Sequence, residues 1–299
     1  MAKKALLLFA KKSVDNGLAH PADLAKLLNE NGDLEVSAAL FEDLLFAIDE
    51  QDVAVVDTAN NHPLTDYDVI YFRYWGDAQG PALAAARFCK LKHIPFVDSE
   101  VLRPGSFNKI TQYMNLHEAG VPFPKTLVGP GDKLLRHYTE YGFTFPLILK
   151  SAGGTRGQDN FLVKDENEMR TVLQENSHLT FVLQTFLPNN GDYRVVIMGG
   201  DVVLAIKRTS GGDTHLNNTS QGGSAETVPV ASLPEEVRDA SVRAASFFGR
   251  QIAGVDMVQS TADNRWYCFE VNRSPQIEHA SFEKEKTGLL ANYLRQLAE

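Results

Sequence analysis

Ala253-Gly254-Val255-Asp256-Met257-Val258, followed after a short polar interval by Trp266-Tyr267-Cys268-Phe269-Glu270-Val271-Asn272, is the stretch from which the fold of this chain is read. Both segments are rich in β-branched and aromatic residues, and Ala262-Asp263-Asn264 between them is turn chemistry, so the pair reads as a β-hairpin. With the turn centred on Asp263, Asp256 falls opposite Glu270. Side chains alternate faces along a strand, so Glu270 and Asn272 share a face and Asp256 meets them across the ladder. Two carboxylates and an amide oxygen are hard ligands that suit Mg²⁺, or Mn²⁺, and do not suit zinc. The same alternation also describes a surface hairpin with an ordinary solvated face. The neighbouring sequence has to decide.

Upstream, Tyr193–Met198, Gly199-Gly200-Asp201 and Val202–Arg208 form a second hairpin pattern. Counted from either centre of that turn, Arg194 and Lys207 fall on one face. Two like charges so close either share an anion or spread into solvent. Phe145-Pro146-Leu147-Ile148-Leu149-Lys150 reads as a buried strand ending in lysine. It runs into Ser151-Ala152-Gly153-Gly154-Thr155-Arg156-Gly157-Gln158, and Asn160–Val163 leads away as a strand. Glycines there let backbone N–H groups approach phosphate oxygens, Thr155 adds a hydroxyl donor, and Lys150 supplies a point charge. A glycine-rich loop alone is more often a simple turn; strand, lysine, loop and return strand together describe a phosphate lid. Phe181–Gln184 is a further strand, continuing into Thr185-Phe186-Leu187-Pro188.

Ser106 caps a helix running to Glu118, with Lys109 in its first turn. A lysine there opposes the helix dipole, a conflict that a bound anion removes. Ser210 to Ser224 is polar and glycine-rich and reads as a loop. Helices are expected over Pro234–Gly249 and Thr287–Leu297. In the first hundred residues, strands at Lys4–Phe9, Val53–Val56, Val69–Phe72 and Pro95–Val97 alternate with helical patterns at Pro21–Asn29, Phe41–Ile48 and Pro81–His93. That alternation implies a largely parallel sheet. Arg73, Tyr74 and Trp75 follow a strand end and are candidates for substrate contact, or else packing residues of a loop.

The chain has 299 residues and a net charge of −9, which argues against nucleic acid as a main partner. Hydrophobic residues make up 43%, ordinary for a globular protein, and the longest apolar runs are too short to span a bilayer. Two cysteines, Cys89 and Cys268, cannot form a disulfide framework or a thiolate zinc site, and the expected location is cytoplasmic.

Taken together these blocks resemble the ATP-grasp ligases, and within them the ribosomal-protein glutamate ligase branch. The likeness runs from about residue 95 to 299. It rests on Ala253-Gly254-Val255-Asp256, Phe269-Glu270-Val271-Asn272-Arg273-Ser274-Pro275, Lys286-Thr287-Gly288, the Pro146–Lys150 strand with its Gly154-Thr155-Arg156-Gly157 loop, and Asp192-Tyr193-Arg194. The resemblance implies an α/β (α+β) chain: an N-terminal parallel-sheet domain (1–104) and two α+β subdomains (105–184 and 185–299) that grip ATP. It implies Mg²⁺ on Asp256, Glu270 and Asn272, and phosphates on Lys109, Lys150 and the Gly154, Thr155 and Gly157 loop. It sets adenine on a hinge at Gln184, Thr185, Phe186 and Leu187, ribose beside Asp192, and Arg194 by the γ-phosphate. Arg208 and Asn218 line the reaction centre, and Lys207 joins them through its face shared with Arg194. The implied activity is carboxylate–amine ligation through an acyl phosphate, on a small acid and amine or on a peptide or protein. A peptide macrocyclase and a non-catalytic ATP-binding module of the same fold are the alternatives, and a homo-oligomer is left open. The chain departs from the pattern at Thr185, where relatives carry an acid. It does so again at Gln158-Asp159-Asn160 in the loop and at Gln276, where relatives carry glycine.

Overall fold

A computed structural model describes residues 2–31, 34–103, 109–153, 160–209, 224–278 and 281–299. The first unit contains β1 (Lys3–Phe9), α1 (Lys11–Asp15), α2 (Pro21–Asn29), β2 (Leu34–Leu40), β3 (Leu44–Ile48), β4 (Val53–Asp57), β5 (His62–Pro63), β6 (Val69–Arg73), α3 (Gln79–Lys92) and β7 (Phe96–Val97). Strands β2-β1-β6-β7 pair in parallel. Strand β1 is buried on both faces: Ala5, Leu7 and Phe9 pack with α2, while Leu6 and Leu8 pack with α3. That is why Ala5–Ala10 reads as an unbroken apolar run rather than an alternating one.

Two expectations for this unit fail. Phe41–Ile48, expected as a helix, is a short 3-10 turn followed by strand β3, and Val53–Val56 belongs to an antiparallel β3-β4-β5 sheet rather than to the parallel one. The local cause is a tight turn: the Asp49 carboxylate accepts the Gln51 and Asp52 N–H groups at 2.8 and 2.9 Å, which folds Leu44–Ile48 back on Val53–Asp57. Strand β2 was not expected at all.

The second sheet has the order β10-β9-β11-β8, from β8 (Thr126–Pro130), β9 (Leu147–Ser151), β10 (Asn160–Val163) and β11 (Thr180–Thr185), and is antiparallel throughout. Helices α5 (Gly131–His137) and α6 (Glu166–Glu175) cover one face, where Leu134, Leu147, Leu149, Met169, Phe181 and Leu183 form a core. Helix α4 (Lys109–Glu118) leads into this sheet.

The third sheet, β14-β13-β12-β15-β16, holds the hairpins read from the sequence. Its strands are β12 (Asp192–Met198), β13 (Asp201–Thr209), β14 (Ser224–Val228), β15 (Ile252–Gln259) and β16 (Trp266–Asn272). One face, with Val195, Ala205, Val255, Met257 and Val271, packs on α7 (Glu235–Phe248). The other face changes character along its length. At one end Val196, Met198, Leu204, Ile206 and Ile252 join the core shared with β1, α2 and α8 (Glu283–Ala298). At the other end it is charged. No described helix is long and apolar enough to cross a membrane.

Candidate active site

The charged end of that face is built by register. Asp192 pairs with Arg208, Arg194 with Asp256, and Asp256 in turn with Glu270, while Asn272 pairs with Gly254. Cross-strand partners share a face, so Asp192, Arg194, Arg208, Asp256, Glu270 and Asn272 project to one side. Two β-bulges decide this. The β15–β16 ladder runs Gln259↔Trp266 to Met257↔Cys268, and one extra residue, Phe269, then brings Glu270 opposite Asp256. On β13 the register slips between Val196 and Ile197, leaving Val203 as the extra residue. This second bulge corrects the expectation for Lys207. It pairs with Tyr193 and so lies on the opposite face from Arg194, and Arg208 takes the place that a regular hairpin would give to Lys207.

Ion pairs fill the charged patch. Arg194 grips Asp256 through Nε–Oδ1 at 2.6 Å and a second nitrogen to Oδ2 at 2.8 Å. Arg208 holds Asp192 in the same forked way and reaches Asp256 Oδ1 at 3.1 Å. Burial raises the Asp256 carboxyl, but the two guanidinium groups outweigh it and hold the group below the usual carboxylate range. The resemblance implies ribose beside Asp192 and phosphate beside Arg194. Here those side chains are engaged by Arg208 and Asp256 respectively.

The second sheet presents to this patch the face turned away from α5 and α6. Lys150, Ile148, Val182 and Gln184 share that face by pairing, and Lys150 Nζ lies 5.3 Å from the centre of the Phe269 ring. Burial lowers the Lys150 ammonium to about 8; Glu270 favours its charge and Lys109 opposes it. Lys109, on α4, donates to the Ser151 carbonyl at 2.8 Å. Lys109 thus stands close enough to Lys150 to oppose its charge, an arrangement suited to an anion. Gln184 is buried, its amide donating to Thr126 at 2.8 Å. Thr185 pairs with Leu147 and so falls on the other face, its N–H bonded to the Lys125 carbonyl at 3.1 Å. Phe186 and Leu187 are half-buried in the segment that joins β11 to β12. Gly154, Thr155, Gly157 and Asn218 lie outside the described residues.

The donor set fits a hard cation only in part. Among the described residues no three His, Cys, Asp or Glu side chains gather closely enough to hold a metal. The Glu270 carboxylate, however, is half-buried and accepts no hydrogen bond among the described residues. Asn272 turns its NH₂ toward Gly254 O (3.3 Å) and Asp256 Oδ2 (3.2 Å), which leaves its amide oxygen as an acceptor. Glu270 and Asn272 therefore offer ligand oxygens, whereas Asp256 would have to exchange an arginine contact for a metal.

Arg73 and Trp75 are not at this site. Arg73 is 0% exposed and ion-paired with Glu278 at 2.7 Å, and Trp75 is buried beneath Arg273. They pack the first unit against the loop that follows β16. The sequence reading gave no role to Lys286, which stands at the edge of the patch. A signal was present: Lys286, Leu290 and Leu294 recur at helical spacing and all three are buried, so a lysine occupies the apolar stripe of α8. Starting that helix at Thr287 concealed it.

Two antiparallel sheets that face each other across a band of lysines, arginines and carboxylates, beside a parallel-sheet unit, make up the ATP-grasp fold. The chain belongs to the family of the RimK-like ATP-grasp domain, whose model matches residues 107–294. It is 28% identical to a probable alpha-L-glutamate ligase of Syntrophotalea carbinolica, over 72% of this chain and 71% of that protein. Among solved structures it is similar to the ATP-grasp ligase PsnB complexed with minimal precursor (TM-score 0.68, 18% identity, all of both chains). It is also similar to D-alanyl-alanine synthetase A from Vibrio cholerae (TM-score 0.65, 15% identity, 99% and 97% of the two chains). At these identities the structural likenesses bear on the fold alone.

Proposed function

We propose that this chain is an ATP-dependent carboxylate–amine ligase that activates an acid as its acyl phosphate and forms an amide or peptide bond, releasing ADP and phosphate. The observation that carries the reading is the charged half-face: Arg194, Arg208, Asp192, Asp256, Glu270 and Asn272 on one side of one sheet, with Lys150 and Lys109 facing them. A carboxylate is a poor electrophile and repels the triphosphate that must activate it. Lys109 and Lys150 hold the phosphates, and Arg194 stabilises charge as the phosphoryl group passes to the acid. Glu270, Asn272 and Asp256 would hold Mg²⁺, which when bound neutralises charge between the phosphates. Arg208 orients Asp192 and Asp256 beneath Arg194. Gln184 to Leu187 is retained as the adenine hinge, and the division at 1–104, 105–184 and 185–299 as the domain plan. The name of the curated relative favours an amino acid as one of the two substrates.

The test is ADP release with magnesium and ATP over amino acids, small acids and short acidic peptides. An acid-dependent signal, increased by one amine, is expected. Formation of AMP, or ADP release indifferent to every acid, would overturn the reading.

A further inference from the structure

Where the face of the third sheet passes from charged to apolar, a small cavity of about 50 Å³ opens. Arg194, Arg208 and Lys286 line it with charge, and Val196, Ile206 and Pro275 with apolar surface. The arginines are already matched, Arg194 by Asp256 and Arg208 by Asp192. Lys286 is not. It is 4% exposed, its ammonium donates to the backbone carbonyl of Gln276, and no carboxylate among the described residues lies within ion-pair distance. Glu278, the acid that most favours its charge, is bonded to Arg73 at 2.7 Å. Burial lowers the Lys286 ammonium to about 8, and the Arg194 and Arg73 charges add to that effect against Glu278.

A buried ammonium has three N–H donors, and leaving it without a counter-charge is costly. An anion entering this cavity meets that unmatched charge first, while Val196 and Ile206 leave room for hydrocarbon rather than for a second charged oxygen cluster. We propose that Lys286 is the specificity-determining residue of the site, holding the carboxylate of the acid substrate on a short aliphatic stem. Such a carboxylate comes either from a free amino or dicarboxylic acid or from the side chain of Asp or Glu in a peptide. The proposal rests on the ligase reading above and names the chemistry of its acid.

K286M keeps an unbranched stem and removes the charge; K286R keeps a charge. Calorimetry with magnesium and the non-hydrolysable AMPPNP, then with glutarate on the nucleotide-loaded protein, separates the two ideas. ADP formation with L-glutamate and with Ala-Glu-Ala gives KM and kcat for the two sources. In K286M, nucleotide affinity should stay within twofold while KM for the acid and the Kd for glutarate rise at least tenfold, with kcat changed less than threefold. K286R should recover part of the loss, and the source with the lower native KM is the substrate type. If K286M does not fold, K286Q carries the same expectations. Nucleotide binding intact with acid KM unchanged in the variant would overturn the assignment of Lys286, as would native protein that binds nucleotide but neither glutarate, glutamate nor peptide. Native protein that binds no nucleotide would overturn the ligase reading itself.

Discussion

Arg194 stands two strands and Arg208 three strands from Glu270, and they look alike in sequence, yet their surroundings predict opposite consequences on removal. Arg208→Ala leaves buried Asp192 without its forked partner, and an uncompensated buried charge costs about 3–5 kcal/mol. Arg194→Ala leaves Asp256 still paired with Arg208 at 3.1 Å, so the fold should lose little. Urea unfolding should therefore show a larger loss for Arg208→Ala than for Arg194→Ala. Turnover should separate them the other way. Arg194→Ala should bind Mg-ATP within a few-fold of native protein and lose about 10²–10³ in rate, the usual effect of removing one preorganised charge donor. Affinity and rate falling together would place Arg194 in ground-state binding. Parity counting grouped Asp256, Glu270 and Asn272 because centring the turn on Asp263 adds the same one-residue offset that the Phe269 bulge supplies. It failed for Lys207 because a single extra residue, Val203, reverses every face beyond it, and nothing in Val202-Val203-Leu204 announces a bulge.

At the level of elements, the β12–β15 ladder depends on a residue with no side chain. A Cβ on Gly254 would lie 2.9 Å from Arg194 Cδ and 3.2 Å from Pro275 Cβ. Gly254→Ala should therefore displace Arg194 and reduce turnover about tenfold, equivalent to ~1.4 kcal/mol in the barrier, while leaving nucleotide affinity near native. A rate equal to that of native protein would show that Arg194 is free to shift without consequence. The two hairpins that carry the site were legible because Asp263-Asn264 and Gly199-Gly200 punctuate alternating β-branched runs. Strand β2 was not, since Leu34-Glu35-Val36-Ser37-Ala38-Ala39-Leu40 mixes strand alternation with helix-forming alanines and leucines, and its pairing with β1 decides the outcome. Phe41–Ile48 failed for the related reason that a five-residue apolar run fits either period, and the Asp49 turn settles it.

Buried charge joins the units of the molecule alongside the apolar core that β1, α2 and α8 share with the third sheet. Arg73 to Glu278 ties β6 to the loop after β16, Arg250 to Glu100 ties the segment between α7 and β15 to the segment after β7, and Asp98 accepts the Ile252 N–H at 2.8 Å at the start of β15. None of these links is readable from sequence, because each pairs residues at least 150 positions apart. Burial, reinforced by Glu100 and opposed by its backbone donors and Arg250, pushes the Asp98 carboxyl up to about 8. A carboxyl raised in the folded state is protonated there while the unfolded chain has already released its proton. Stability therefore falls as pH rises from about 4 to about 8 and is level above that window. Thermal melts of Asp98→Asn should lack this component, so the difference in Tm between native protein and variant should shift steadily in the variant's favour from pH 5 to 8. A difference independent of pH would mean that Asp98 is ionised in the folded protein. If this fold moves the γ-phosphoryl group of ATP onto a carboxylate, as proposed, one carboxylate oxygen must leave with the phosphate, and isotope transfer shows it. With the acid identified by ADP release and labelled with ¹⁸O in both carboxylate oxygens, phosphate collected after turnover should carry one ¹⁸O per molecule, with ADP as the nucleotide product. Phosphate free of label, with the departing ¹⁸O found in AMP or in water instead, would contradict this transfer.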